Sequence, residues 1–400
     1  MKKYLFYVVV VPLIFVTALF SIPFIIPAKK FPKYSDANLR EIALSRGLRS
    51  TPTTLDELKK LLDSPKNPIT MQKISLGEEL FFDTNLSKSR ATSCATCHSF
   101  DRDLKNRGAI RKVVLSKNEK FTDCAMCHLQ DQSGVDRFTS SVGDNGIEYP
   151  QLLNTQTVLN ASLAKYFTWN AEVKSLEEQS ANSIVAHHKL NLSPKELEER
   201  LGSNRYFIDK FQEAFGEKPN INNSSKAIAV YLKTLITRGS YDRFLDGDNK
   251  AISSEAKRGL ANFINFGCKG CHTGVSLGGQ SIQRFPVRMV VLASYFRVNL
   301  HGESGNDGSL YEFPFENRGG FLGRNNQYLF RVPILRNVAK TSPYFHNGAV
   351  PKLREAVEIM AKYQTGRYVS DEQIDEIVAF LITLNGDLID YKKAKGDDTL

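Results

Sequence analysis

An all-α fold in two domains with long loops is what this sequence predicts, and three observations predict it. Apolar residues recur at helical spacing through 227–237 and again through 371–385, where Ile374, Ile377, Val378, Leu381 and Leu384 form one stripe. Two more helical stretches, 76–82 and 254–264, each run into one short pattern, Cys94-Ala95-Thr96-Cys97-His98 and Cys268-Lys269-Gly270-Cys271-His272. The pattern occurs once more, as Cys124-Ala125-Met126-Cys127-His128, and the three copies consume all 6 cysteines.

Cys-x-x-Cys-His is the attachment signature of haem c: both thiols add across the porphyrin vinyl groups and the histidine ligates iron. A structural zinc site uses paired Cys-x-x-Cys sets, and a disulfide has no need of a following histidine. Covalent haem at three places, with His98, His128 and His272 as iron ligands, therefore accounts best for the pattern. A helix running into this motif is the usual opening of a cytochrome c unit, so the fold class is two cytochrome c-like domains. Their boundaries fall at 71–248, with an inserted stretch at 99–128 that carries the extra motif, and at 249–390.

The chain of 400 residues carries 53 basic and 43 acidic side chains. The net charge of +10 suits an acidic redox partner or an anionic membrane face. No arginine-rich motif or aromatic platform for nucleic acid is present. Lys2 and Lys3 precede an apolar run reaching about Ala28, long enough to span a bilayer and longer than the core of an ordinary cleaved signal. Residues 1–30 are read as a transmembrane signal anchor that leaves the body on the periplasmic side of a bacterial inner membrane; a cleaved signal and a soluble periplasmic protein is the alternative. Export agrees with covalent haem attachment, which in bacteria takes place outside the cytoplasmic membrane. Residues 31–70 read as a tether with short capped helices.

From residue 76 the chain resembles a family. Leu76-Gly77, Leu80-Phe81-Phe82-Asp83, Leu86-Ser87 and Ser93-Cys94 match the entry of bacterial di-haem cytochrome c peroxidases. The likeness resumes at Ser141-Val142-Gly143, Val158-Leu159-Asn160-Ala161, Trp169, Glu178-Gln179 and Tyr241–Asp248. It closes at Leu335-Arg336-Asn337-Val338-Ala339 and Pro343-Tyr344-Phe345-His346. The resemblance implies hydrogen peroxide reduction to water, with electrons from a donor cytochrome c or a membrane quinol chain. It makes Trp169 the coupling residue between two haems and Met360 the distal ligand of the C-terminal haem. A related branch that oxidises a tryptophan on a partner protein has tyrosine in that place. It further implies a calcium ion on the Asn154 side chain and the carbonyls of Thr341 and Pro343, oxygen donors that suit a hard cation. A homodimer is one option for its assembly.

Three departures matter. Upstream residues match when His98 is the family's first haem ligand, whereas the downstream distance to Gly134-Val135-Asp136 fits His128 better. Asp144 stands where many members place a histidine that caps the peroxidatic iron. Lys189 stands where the family has the glutamate that moves a proton between the peroxide oxygens; an ordinary lysine, cationic at neutral pH, cannot accept that proton. The candidate catalytic set is then Gln179, His187, His188 and Lys189, with either histidine available as acid–base or as an iron ligand. The rival readings are a non-catalytic multihaem electron carrier or sensor on the same frame, and an oxidase acting on a protein partner.

Overall fold

The computed structural model describes residues 31–100, 134–136, 138–146, 151–287 and 313–391. Most of its helices open where a side-chain oxygen accepts an unpaired first-turn N–H. α1 (Asp36–Ser45) is capped by Ser35, and α2 (Leu55–Leu62) by a reciprocal box of Thr54 and Glu57. α3 (Met71–Phe82) starts at Thr70, and α4 (Cys94–Cys97) is a single turn. α5 (Leu176–Val185), α6 (Pro194–Gly202), α7 (Arg205–Phe215) and α8 (Ile221–Thr234) complete the first domain. β1 (Thr237–Gly239) and α9 (Ser240–Leu245) lead into the second, which holds α10 (Ser254–Asn265), α11 (Leu353–Met360) and α12 (Asp371–Ile382). The fold is not wholly helical. β2 (Ile282–Arg284) pairs antiparallel with β3 (Leu329–Arg331), and β1 pairs antiparallel with β4 (Gly386–Leu388).

Each domain is centred on one crossing of two helices, α3 with α8 and α10 with α12. Both crossings need a glycine. A Cβ on Gly77 would lie 2.0 Å from Ala227 O, and one on Gly259 1.8 Å from Glu376 O. An aromatic pair packs beside each crossing: Phe81 with Tyr231 at 5.5 Å, and Phe263 with Phe380 at 5.2 Å.

The correspondence extends through the chain, so the two domains are an internal duplication. Asn160 and Asn337 both adopt left-handed φ, 60° and 61°, at the start of a 3₁₀ turn. Asn160 N bonds Leu235 O at 2.8 Å, and Asn337 N bonds Leu384 O at 3.1 Å. Their side chains meet on one hydroxyl: Thr237 Oγ1 accepts from Asn160 Nδ2 at 2.8 Å and from Asn337 Nδ2 at 3.0 Å. Phe167 bridges Val173 as Tyr344 bridges Val350. Trp169, Leu176 and Ser183 then fall, at the same constant offset, on His346, Leu353 and Met360. The paired strands β1 and β4 place Arg238 opposite Asp387 at the centre of this approximate two-fold.

Residues 31–70 are packed rather than a tether. Leu39, Ala43 and Leu48 enter the second domain's core with Tyr241, Phe244 and Leu260. Leu55 and Leu58 join Ile69, Ile74, Val230 and Tyr391 in a core shared by both ends of the chain. Helices this short are marginal alone and gain their stability by burying an apolar face. The long loops expected of the fold include, in the second domain, the β2–β3 pair; residues 288–312 lie outside the described residues. So do residues 1–30, which carry the expected anchor. Among the described residues no helix is long and apolar enough to cross a membrane.

Candidate functional site

A cavity of about 500 Å³ opens inside the first domain, within the size range of cofactor sites. α4 brings Cys94, Cys97 and His98 to one wall. α3 and α8 supply Phe81, Ile228 and Leu232, and α5 supplies Leu176, Gln179, Ser180 and Ser183. The turn after α5 adds His188 and Lys189, and the edge toward the second domain is closed by Trp169, Arg331 and Ile334.

His98 Nδ1 lies 3.0 Å from Gly134 O, a second contact of the kind that orients a metal-binding imidazole. Burial holds its pKa below the ordinary histidine value, so the ring is neutral, as ligation requires. In the second domain His272 repeats the arrangement, with Nδ1 3.2 Å from Leu277 O and burial pushing its pKa down to about 4. The residue after each histidine also behaves alike: Gly134 N bonds Ser99 O and Gly278 N bonds Thr273 O, both at 3.0 Å. Among the described residues, the proximal-type imidazole that lines the cavity is that of His98. Cys124, Cys127 and His128 lie outside the described residues.

The remaining expected residues divide. Gln179, His188, Lys189 and Trp169 converge on the cavity, whereas His187 is exposed and does not line it. Asp144 lines it too, but its carboxylate accepts from Ser89 N at 2.8 Å and from Thr92 Oγ1 at 2.9 Å, besides the Ser89 hydroxyl. Trp169 Nε1 donates to Asn154 O at 2.9 Å, and its ring stands 6.5 Å from that of His346. Met360 ends α11, one helical repeat beyond Leu353 and Val357, which pack on the core that also receives Cys268. Of the three residues expected to bind calcium, Asn154 is tied to the 341–346 loop by its N–H to His346 O at 2.8 Å, while its Nδ2 donates to Phe138 O at 2.7 Å. Thr341 Oγ1 donates to Val338 O at 3.1 Å, and Pro343 follows a cis peptide.

Several polar atoms on the cavity wall are buried without a hydrogen-bond partner: Gln156 Nε2, Gln179 Oε1, Ser180 Oγ and Arg331 Nε. Arg331 is the sharpest case and was missed in the sequence, where it is one basic residue in a strand. Burial pushes its pKa down to about 10, and a buried guanidinium without an anion is strongly unfavourable. Haem c answers each feature. Cys94 and Cys97 would take its thioether bonds, His98 its iron and the apolar walls its plane, and its carboxylates would supply an anion to Arg331, which meets none among the described residues.

Fold and site together define a c-type cytochrome built of two duplicated domains. The chain belongs to the di-haem cytochrome c peroxidase family, whose profile matches residues 71–114 and 111–250. It is 34% identical over 326 residues to the cytochrome c551 peroxidase of Pseudomonas aeruginosa, covering 80% of each chain. The cytochrome c551 peroxidase of Nitrosomonas europaea is 32% identical, over 81% of this chain and 83% of its own. The methylamine utilization protein MauG of Methylorubrum extorquens is 27% identical over 88% of each. Among solved structures, a MauG-like protein associated with microbial copper homeostasis shares the fold, with a TM-score of 0.61 at 20% identity over 84% of this chain and 96% of its own. Family membership implies haem c and oxidoreductase chemistry.

Proposed function

We propose that the chain reduces hydrogen peroxide to water on the bacterial periplasmic side, held at the membrane by residues 1–30. His272 and Met360 would hold the haem that takes electrons from a small cytochrome c or a membrane quinol chain, His98 would hold the cavity haem, and Trp169 would couple the two. The observation that carries this reading is the one cavity shared by His98, Trp169, Gln179 and His188. When bound, the haem supplies the redox chemistry and the site where peroxide meets iron. The residues supply the rest. Gln179 presents an unpartnered Oε1 that can accept a hydrogen bond from peroxide. His188, half-buried and held below the ordinary histidine pKa chiefly by burial, is a neutral acid–base able to move a proton between the two oxygens. The apolar wall of Phe81, Leu176 and Leu232 excludes bulk water. The motif at His128 carries a third haem, and calcium on Asn154, Thr341 and Pro343 braces the domains.

The test is peroxide turnover with a reduced c-type cytochrome as donor. His188→Ala is expected to cut turnover by roughly 10²–10⁴ while leaving haem content intact. A wild type inert in both its oxidised and half-reduced states would overturn the proposal. It would favour the second reading, an electron carrier or sensor, which Lys189 in the glutamate position supports.

A further inference from the structure

Lys189 puts a basic side chain in this cavity where the family resemblance implies an acidic one, and its surroundings indicate what it does there. Its backbone is fastened on both sides: Lys189 N donates to Ala186 O at 2.9 Å, and Lys189 O accepts from Asp144 N at 2.7 Å. Gly143 lies so close that a Cβ there would sit 2.2 Å from His188 O. From this anchored turn the side chain lines the cavity, and its Nζ ends 3.5 Å from Ser183 Oγ. Among the described residues it meets no carboxylate.

The duplication gives Ser183 its meaning. It is the counterpart of Met360, the position from which the second domain would present a thioether to iron. A serine side chain is too short for that task, and the first domain instead brings a lysine nitrogen to the serine's hydroxyl. The other route to a cap, through the 141–144 loop, is closed because the Asp144 carboxylate is already bonded to Ser89 and Thr92.

We propose that the Lys189 amine is the resting-state sixth ligand of the haem iron carried by His98. The nitrogen lone pair forms the bond to iron, the lysine's proton leaves to solvent, and the oxidation state does not change. This rests on the reading of His98 as the proximal ligand. Substrate access then requires that the amine let go.

Electron paramagnetic resonance of the fully haem-loaded ferric protein tests this without any turnover. The wild type is expected to show a low-spin His98 haem. In Lys189→Ala one haem equivalent should become high-spin, with azide binding to it at least about tenfold more tightly, since a cap that holds the iron ~90% of the time weakens apparent affinity by that factor. Lys189→Gln, one bond shorter but with an amide donor for Ser183 and no amine, should behave alike should the alanine variant fold poorly. A high-spin His98 haem in the wild type, or a low-spin signal unchanged in both variants, overturns the proposal; the latter would point to His188. His98→Gly keeps the two readings apart. If it spares the low-spin species that Lys189→Ala removes, the assignment to His98 fails although a lysine-ligated haem exists.

Discussion

Arg336 and Asp242 form a bidentate ion pair that is wholly buried, with both side chains 0% exposed. Nη1 and Nη2 of Arg336 reach the two Asp242 oxygens at 2.9 and 2.8 Å. The remaining capacity is filled by backbone. Thr51 N and Gly239 N each donate to the carboxylate at 2.9 Å, and Arg336 donates to Arg49 O at 3.1 Å and to Val275 O. One ion pair thus ties the early segment, the interdomain turn and the LeuArgAsn stretch of the second domain together.

Removing one partner leaves an uncompensated buried charge, so Arg336→Met is expected to destabilise the protein by about 3–5 kcal/mol in urea unfolding. Burial raises the Asp242 pKa, but the Arg336 charge and the donors around the carboxylate outweigh it and hold the value below the ordinary aspartate range. A depressed folded pKa means that this stability is present above the unfolded value of about 3.9 and is lost as pH falls toward the folded one. The variant's deficit should accordingly shrink in acid.

The helix crossings give a second expectation. At Gly259 a methyl group would be driven against the backbone of α12, with no flexible side chain to yield. Gly259→Ala should cost about 1–3 kcal/mol or more. Thermal unfolding would show it as a drop in Tm, and Gly77→Ala should behave the same way on α8.

The helices and haem motifs were legible because each rests on local chemistry, a cap or a Cys-x-x-Cys-His spacing. Burial of the 31–70 segment was not, since Leu39 and Leu58 carry the same short apolar stripe whether they pack or lie exposed. Spacing leaves the register between His98 and His128 open, because an insertion keeps the distance to one motif that it removes from the other. Arg331 and Ser183 were missed for a different reason. Their roles come from partners far along the chain, and the duplication that exposes Ser183 keeps position while changing most residue types. A constant offset between the Asn160 and Asn337 stretches was the available signal.

His346 offers a test of burial. Its ring lies among Phe313, Phe315, Phe321 and Phe330, with Nε2 2.8 Å from Asn317 Oδ1. Burial pushes its pKa down to about 4. Between that value and about 6.5 the unfolded chain binds the proton and the folded one does not, so stability should rise with pH across this window and be complete above it. The effect reaches about 3 kcal/mol. In His346→Gln the slope of unfolding free energy against pH should flatten there.

Haem content has a direct reading. The sequence offers three attachment motifs. Intact mass after acid unfolding should exceed the polypeptide by three haem additions, with Cys124→Ala/Cys127→Ala reduced to two. A wild type already at two would leave the His128 motif without haem.

Met360 carries the last expectation. α11 places Met360 on the same face as Leu353 and Val357, which pack on the core containing Cys268, and the following turn to Thr365 is a π-helix. Such a bulge re-aims the side chains at its start and is frequent at functional sites. A thioether stabilises ferrous iron relative to imidazole, so Met360→His should lower one haem's potential by on the order of 100 mV, roughly fiftyfold in ferric preference. Potentiometric titration would show one haem moving while the others stay. The donor should then reduce that haem less readily, and turnover should fall even though the His98 cavity is untouched. If no haem shifts, Met360 is an ordinary core methionine and the electron entry point lies elsewhere.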